Sequence, residues 1–345
     1  MTLKTLLNAR KKAGAESKLR NITLVLIAMI IIASFSSPNF LDRFNLQSVV
    51  RDLAFVSTIA IGQSCLLLLG ELDLSVGKIA SLCGVLAGML MVNFKFPVVI
   101  VPFICILAGM LFGVLNGTII TRLKLNAMVV TIGMQGLYGG VNLVLTKGKA
   151  IIGIPASFTY LGKGTFLGIP MPFVFTLIVL IIVLFLTQKT RYGRYLYAIG
   201  NNREAAEIMG INVTFIRTMT YALVGALAAL SGVLMVARLG ASQPSIGDSW
   251  VMNSIAASVI GGVALTGGIG SPAGALLGAC IISIIQNMIV LLGVNIYWQT
   301  AVSGVVVVIA ISLDSIGTLV SLNSAKRRAI ANSEKEKDKE NKQEA

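Results

Sequence analysis

Histidine is missing from all 345 residues of this sequence, and only four cysteines are present. Histidine is the commonest general base in enzymes and the commonest metal ligand, so its absence removes the usual centre for both kinds of chemistry. The cysteines Cys65, Cys83, Cys105 and Cys280 stand singly within apolar runs, as small core residues do. We therefore predict no catalytic residue, no metal site and no cofactor bound by this chain.

Charged residues are scarce as well, at 12% of the sequence, whereas apolar residues make up 56%. Soluble globular proteins carry about 25% charged residues, so this composition excludes an ordinary soluble domain and indicates a membrane protein. A net charge of +14 could suggest a nucleic-acid partner, but the basic residues are not interleaved with aromatics that would stack on bases. We predict that they face anionic lipid, with no nucleic acid bound.

An energy source within the chain is also missing. The stretch 70–79 comes nearest to a phosphate-binding loop, but it has six residues between its glycines where that loop has four, and isoleucine where serine or threonine is needed. The acidic residues fall in predicted loops, at span ends or in the tail, whereas ion-driven carriers usually place carboxylates within their spans. The sequence predicts that energy arrives through a partner, which makes an ion-coupled carrier the weaker alternative.

Long continuous apolar runs dominate what the sequence does contain. Most approach the roughly 17 to 25 residues that a helix needs to cross a hydrocarbon layer, and none alternates like a barrel strand. We predict an all-α polytopic membrane protein with about ten transmembrane helices. The predicted spans cover residues 21–37, 53–69, 74–92, 98–121, 127–145, 171–187, 214–237, 253–265, 273–292 and 296–313.

The positions of lysine and arginine predict the orientation of these spans. Basic residues are dense at both ends and after the sixth span, and cytoplasmic loops carry such an excess, so both termini are predicted to be cytoplasmic. We interpret the first span as a retained anchor rather than a cleaved signal peptide. Three parts follow: a basic cytoplasmic segment 1–20, a transmembrane domain 21–318 with a cytoplasmic loop at about 188–213, and a charged, disordered cytoplasmic tail 319–345.

Polar residues within the predicted spans are neutral amides and hydroxyls. Amides donate and accept hydrogen bonds, which suits a neutral polyhydroxylated solute, and they lack the fixed charge that would favour an ion. Each one alone is better explained by a hydrogen bond between helices, while the set weakly favours a neutral polar cargo. The candidate pathway residues of this kind are Asn116, Thr131, Gln135, Asn142 and Asn253.

Glycines recur every four residues on several predicted helices, as at Gly109, Gly113 and Gly117, and at Gly136 and Gly140. Glycines with this spacing line one helix face and let another backbone approach closely. For any single set we favour contact within one bundle over a seam between two copies.

The segment 197–212 is polar although it lies between two long apolar spans. Its residues predict a short helix, because Asn201 or Asn202 can cap a start, Glu204 suits the positive N-terminal end and Gly210 suits the C-terminus. A membrane protein that keeps such a segment on its cytoplasmic surface offers it to a partner.

Four sequence blocks lie in order along the chain: GELDLSVG at 70–77, LNAMVVTIG at 125–133, AIGNNREAAEIMGINV at 198–213 and IGGVALTGGIG at 260–270. Together they resemble the blocks of ribose- and galactose-type sugar permeases, the membrane subunits of binding-protein-dependent ABC importers. The resemblance extends from about residue 39 to residue 314, and four blocks in family order are far more specific than one.

The resemblance implies both location and partners. Such permeases lie in the bacterial inner membrane and pair with a second permease copy, as a homodimer or a heterodimer. They bind a cytoplasmic ABC ATPase, which uses ATP and Mg, and they receive sugar from an extracytoplasmic binding protein. The expected function is therefore import of a monosaccharide, ribose or a related simple sugar. Alternatives are a nucleoside or furanose-type signalling sugar carried by the same family, an ion-coupled carrier, or a scaffold without flux.

The resemblance also assigns residues. It marks the cytoplasmic segment as the ATPase-coupling helix, with candidate residues Asn201, Asn202, Glu204, Ala205, Ala206, Gly210 and Ile211. It marks Asp73 and Ser75 as signature residues, which the topology puts at the cytoplasmic end. There we predict that Asp73 caps the following helix or braces the loop, in preference to touching cargo.

Overall fold

A computed structural model describes residues 3–295, 297–309 and 311–312, with side-chain surroundings from residue 19 onward. Most of these residues are helical. The helices are α1 (Leu3–Ser36), α2 (Arg43–Leu68), α3 (Val76–Val92), α4 (Val101–Arg122), α5 (Ala127–Thr146), α6 (Ala156–Lys163), α7 (Met171–Lys189), α8 (Arg191–Asn201), α9 (Arg203–Ile208), α10 (Val213–Leu239), α11 (Trp250–Ile260), α12 (Pro272–Leu291) and α13 (Trp298–Ile309). The predicted tail 319–345 lies outside the described residues.

Short strands occur only as two small antiparallel pairs in the described part of the chain. Strand β1 (Ile151–Ile152) pairs with β4 (Ala241–Ser242), and β2 (Thr165–Phe166) pairs with β3 (Ile169–Pro170). With so little strand, the predicted all-α class is confirmed.

Each predicted span coincides with an apolar helix. Among the described residues, seven helices are long and apolar enough to cross a membrane, namely α1, α2, α4, α5, α7, α10 and α12. Helices α3, α11 and α13 are apolar but shorter. The multi-pass architecture is therefore confirmed, while the count of ten crossings stays a prediction.

Helix α10 forms the centre of the bundle, and the glycine face of α4 packs against it. A Cβ added at Gly109 would overlap the Gly225 carbonyl, and one added at Gly113 would overlap the Tyr221 carbonyl. The predicted close approach of backbones is confirmed for this set. On α5, in contrast, no described atom lies within 4 Å of the position that a Cβ would take at Gly136 or Gly140.

Helices α3 and α11 both begin deep inside the bundle. With 17 and 11 residues they are about 26 Å and 17 Å long, less than the roughly 30 Å of a hydrocarbon core. The Ala80 carbonyl on α3 abuts Gly232, well inside α10, and the backbones of Gly77 and Gly247 are in contact. Trp250, the first residue of α11, stacks on Phe55 near the middle of α2.

The segments that precede these two helices therefore turn back into the bundle. Non-helical backbone at such a depth is tolerated only where it is buried in protein or lines a cavity. Asp73 in the first segment is fully buried, and the Glu71 side chain is only 13% exposed. The placement of Asp73 and Ser75 at the cytoplasmic end of a span stays a prediction. What the sequence did not show is that this loop is buried in protein, because a loop signal along the chain carries no information about where the loop folds.

Candidate cargo pathway and coupling segment

The polar segment between α7 and α10 forms the short helix that the sequence predicts. The Asn202 side chain accepts a hydrogen bond from the Ala205 backbone N–H at 2.9 Å, which caps the start of α9. Glu204 lies in the first turn, where the helix dipole favours a negative charge. The chain leaves α9 through Gly210, whose φ of +79° suits glycine, and the Ile211 N–H bonds the Ala206 carbonyl at 3.1 Å.

The two faces of α9 differ sharply in exposure. Ala206 is fully buried and Ile211 is partly buried, so these two candidates hold the helix against the bundle. Glu204 faces outward, together with Ile208, which is 87% exposed, and Met209, which is 67% exposed. Sequence reasoning missed Ile208 and Met209, although two adjacent apolar residues at the end of a polar helix were a usable signal.

Helix α8 connects this segment to the interior of the bundle. Gly200 abuts the Leu68 carbonyl at the end of α2, and the Asn201 side chain packs over Gly268 in the link between α11 and α12. The Gly268 N–H in turn donates to the Leu68 carbonyl at 2.9 Å. The end of α2 and the link between α11 and α12 therefore meet at the end of α8.

A hydrogen bond reinforces this junction. The Tyr197 hydroxyl donates to the Gly270 carbonyl at 2.9 Å. Burial raises the pKa of Tyr197 to about 12, so the hydroxyl stays protonated and able to donate at physiological pH.

Three of the predicted pathway and signature residues form one buried network. Asp73 Oδ1 accepts from the Ser75 N–H at 2.8 Å and from the Ser75 hydroxyl at 2.6 Å, and Asp73 Oδ2 accepts from Asn116 Nδ2 at 3.3 Å. The Asn116 amide also donates to Ser75 Oγ at 2.8 Å and accepts from the Tyr138 hydroxyl at 2.8 Å. The residues Asp73, Ser75 and Asn116 are fully buried.

Asp73 braces the loop before α3 and does not cap that helix in the usual way. Its bonds go to Ser75, the residue that precedes the helix, and not to the amides of the first turn. The donors from Ser75 and Asn116 supply hydrogen bonds to both oxygens of the buried Asp73 carboxyl. Beside the network, Glu71 forms a nearly buried ion pair with Arg217 of α10.

A groove of about 710 Å³ runs along the open face of α5. Gln135 lines it, as do Lys78 of α3 and Asp248 of the segment before α11. Lys78 Nζ lies 2.6 Å from Asp248 Oδ1, so one ion pair ties together the starts of the two short helices. The aliphatic part of the Lys78 side chain lies against Gly139, which has no side chain of its own.

A second cavity, of about 730 Å³, lies among α2, α11, α12 and the start of α13. Its lining includes Asn253, Gln286 and Asn287, together with Asp52 and the stacked pair Phe55 and Trp250. Asn253 is 2% exposed. This cavity extends from the link between α1 and α2 to the start of α11.

The remaining pathway candidates do not join either space. Thr131 donates to the Ala127 carbonyl of its own helix at 2.9 Å. Asn142 Nδ2 donates to Ser81 Oγ at 2.6 Å and to the Pro244 carbonyl at 3.0 Å, so it fastens α5 to its neighbours. Among the described residues, no three His, Cys, Asp or Glu side chains group closely enough to hold a metal ion.

Residues 45–311 match the model of a family described as a branched-chain amino acid transport system permease component. The chain belongs to that family of transport permeases. The permease is 38% identical over 297 residues to the ribose import permease protein RbsC of Bacillus subtilis (strain 168), a match that covers 84% of the permease and 91% of the relative.

Two further relatives cover a similar share of the permease. RbsC of Escherichia coli (strain K12) is 33% identical over 319 residues, or 91% of the permease and 99% of the relative. The autoinducer 2 import system permease protein LsrC of Escherichia coli O157:H7 is 34% identical over 301 residues, 86% of each chain. The resemblance to sugar permeases is thereby confirmed, and the permease is a multi-pass bacterial membrane protein.

Proposed function

We propose that this permease is the membrane subunit of an ABC importer that brings a monosaccharide, ribose or a closely related simple sugar, into the cytoplasm. A separate ATPase chain binds ATP and Mg and supplies the energy, and an extracytoplasmic binding protein delivers the sugar. The relatives named for ribose import support the cargo class. The observation that carries the mechanism is the junction at which α8 meets the end of α2 and the link between α11 and α12.

In this mechanism the ATPase holds the outward face of α9. Exposed Ile208 and Met209 supply apolar surface for the partner, and Glu204 supplies charge. When nucleotide binding closes the ATPase, α9 moves, and α8 moves with it. Gly200 touches the Leu68 carbonyl, just before the loop 69–75, and Asn201 touches Gly268, within the link 261–271. The displacement therefore reaches both of these segments without an intervening flexible segment.

The two links then move the short helices. Residues 69–75 lead into α3, and the Asp73 network keeps that loop rigid, so it passes on motion instead of absorbing it. Residues 261–271 join α11 to α12, which wall the larger cavity. Movement of these elements converts an outward-facing space into an inward-facing one, which is alternating access.

A second permease copy completes the assembly in this proposal. The face of α5 that carries Gly136 and Gly140 has open space beside it, next to the groove that holds Lys78 and Asp248. An apolar helix that exposes a flat glycine face suits close packing with another helix.

The cargo assignment rests on relatives and on the neutral amides that line the larger cavity. A nucleoside or another small sugar is the alternative within the same mechanism, since one relative is named for autoinducer 2 import. The buried carboxylates of Glu71 and Asp73 weaken the sequence-based argument against an ion-coupled carrier. Transport assays must therefore include ionophores.

The direct test is uptake by proteoliposomes that contain the permease with its ATPase, with binding protein outside and ATP inside. Labelled D-ribose should accumulate only with ATP and should be insensitive to ionophores. Unlabelled galactose, a nucleoside and leucine, added as competitors, would rank the cargo classes. Accumulation without ATP that collapses with an ionophore would show a secondary carrier, and no flux with every component present would contradict sugar import.

A further inference from the structure

The larger cavity has the composition of a sugar site, and it lies within a single chain. We propose that this cavity, among α2, α11 and α12, binds one monosaccharide on its way through the permease. This inference rests on the proposed function and adds a location for the cargo. The cavity volume of about 730 Å³ falls within the range of small-molecule sites, roughly 300–1,000 Å³.

Asn253 provides the first argument. Its side chain is 2% exposed and lines the cavity, yet its Oδ1 accepts no hydrogen bond from any described residue. Most buried polar groups in native proteins have a partner, because an unpaired one costs free energy. A sugar hydroxyl in the cavity would donate to this oxygen and complete its bonding.

The other walls match the two kinds of surface on a sugar ring. Trp250 stacks in parallel on Phe55, with ring centroids 5.8 Å apart and planes 4° apart, and Arg238 lies over the Phe55 ring, so the outer face of Trp250 is the apolar wall for the C–H face of the sugar ring. Gln286 and Asn287 add amides that can donate to or accept from hydroxyls. Asn287 already exchanges hydrogen bonds with Asn45 at 2.8 and 3.1 Å, so its orientation is held.

Position gives the third argument. Trp250 and Asn253 belong to the first turn of α11, which begins level with the middle of α2. In transporters, cargo sites near the middle of the membrane are commonly formed by discontinuous helices. The groove on α5 also adjoins the starts of α3 and α11, but among the described residues its lining contains no aromatic ring to face the C–H surface of a sugar.

Fluorescence of a single tryptophan tests the proposal directly. The sequence contains only two tryptophans, Trp250 in the cavity and Trp298, which is 60% exposed. In the Trp298→Phe permease, held in lipid nanodiscs without ATPase or binding protein, D-ribose should change the emission of Trp250 in a saturable way. Betaine at equal osmolarity should not change it.

Amide substitutions in this background locate the site. Asn253→Leu should weaken ribose binding by about tenfold, because it removes the unpaired acceptor while keeping a similar side-chain size. The matched control is Asn93→Leu, the same change at an exposed position at the end of α3, which should bind like the parent. If Asn253→Leu lowers the melting temperature in detergent so far that binding cannot be measured, Gln286→Leu decides instead, with the same expected weakening.

The proposal is overturned if ribose produces no saturable change in Trp250 emission, or if the deciding variant binds like the parent. It is also overturned if Gln135→Leu, in the α5 groove, abolishes binding while Asn253→Leu does not. The uptake assay separates this failure from that of the proposed function. ATP-driven ribose uptake without binding in the cavity would refute only the proposed site, whereas absence of ATP-driven sugar uptake would refute the proposed function.

Discussion

The loop 69–75 and the helix α9 differ in almost every physical property, although both were singled out from the sequence. In the loop, Asp73 is fully buried and both of its carboxylate oxygens accept hydrogen bonds. On α9, Ile208 is 87% exposed and contributes apolar surface that nothing in the described chain covers. A buried, internally bonded segment serves the architecture, whereas an exposed apolar tip is suited to a partner.

The two regions are nevertheless joined. Gly200 and Asn201, at the end of α8, touch the residues that lead into the loop and into α12. Changes in the loop should therefore lower stability, changes at the tip of α9 should lower partner binding alone, and changes at the junction should lower stability or the coupling of transport to ATP hydrolysis.

The largest effect is expected at the junction. Gly200→Val would place a side chain on the Leu68 carbonyl and the Gly268 backbone N–H, and backbone atoms cannot move aside cheaply. We expect loss of most folded protein, measured as the monodisperse fraction in detergent gel filtration.

Gly210→Ala is the control for a glycine substitution without a clash. No described atom lies within 4 Å of its added Cβ, and the cost is the strained φ of +79°, about 1–2 kcal/mol. Folded yield near wild type for Gly200→Val would mean that α8 does not pack tightly against α2. The loop 69–75 and α9 would then not be joined through this contact.

Asp73→Ala should have the next largest effect. It leaves the Ser75 N–H, the Ser75 hydroxyl and the Asn116 amide without their acceptor, and the free energy of unfolding should fall by about 3 kcal/mol. The readout is the apparent melting temperature in detergent. Asp73→Asn keeps one acceptor oxygen and should lose less. Normal melting combined with altered cargo preference would instead favour direct contact between Asp73 and cargo.

The double substitution Ile208→Ser and Met209→Ser should leave melting unchanged and weaken ATPase binding. Two exposed apolar side chains that become buried against a partner supply enough free energy for a loss of about tenfold in affinity or more. Leu167→Ser is the control, because Leu167 is equally exposed, at 87%, on the hairpin between β2 and β3. An equal loss of ATPase binding in the control would refute a specific role for α9.

Tyr197→Phe should have the smallest effect. It removes only the hydrogen bond to the Gly270 carbonyl, a loss of about 1 kcal/mol. We expect normal insertion and ATPase binding, with a reduced ratio of sugar moved to ATP hydrolysed. An unchanged ratio would show that the contacts of Gly200 and Asn201 suffice to transmit the motion.

Local features of the fold followed well from the sequence. Apolar runs located the helices, Asn202 and Gly210 bounded α9, and the glycines of α4 marked a face that does meet another backbone. These features depend on neighbours along the chain or on one helix face, which sequence spacing encodes directly.

The positions of residues relative to other helices of the bundle did not follow from the sequence. The ion pair between Lys78, within the predicted span 74–92, and Asp248, between two predicted spans, did not follow from the sequence. The sequence also grouped Asn253 with Asn142, although Asn142 Nδ2 fastens α5 to its neighbours whereas Asn253 lines a cavity. Such differences depend on which segments turn back between the helices.

By itself the sequence determined the class of protein, its helices, the polar helix α9 and its resemblance to sugar permeases, because hydropathy, capping and motif order are properties of the linear sequence. Only the tertiary structure decided which polar residues are paired, which face a cavity and which contacts join one region to another. The physical reason is that α3 and α11 begin inside the bundle, where depth is set by packing against α10 and α2 and not by the length of an apolar run.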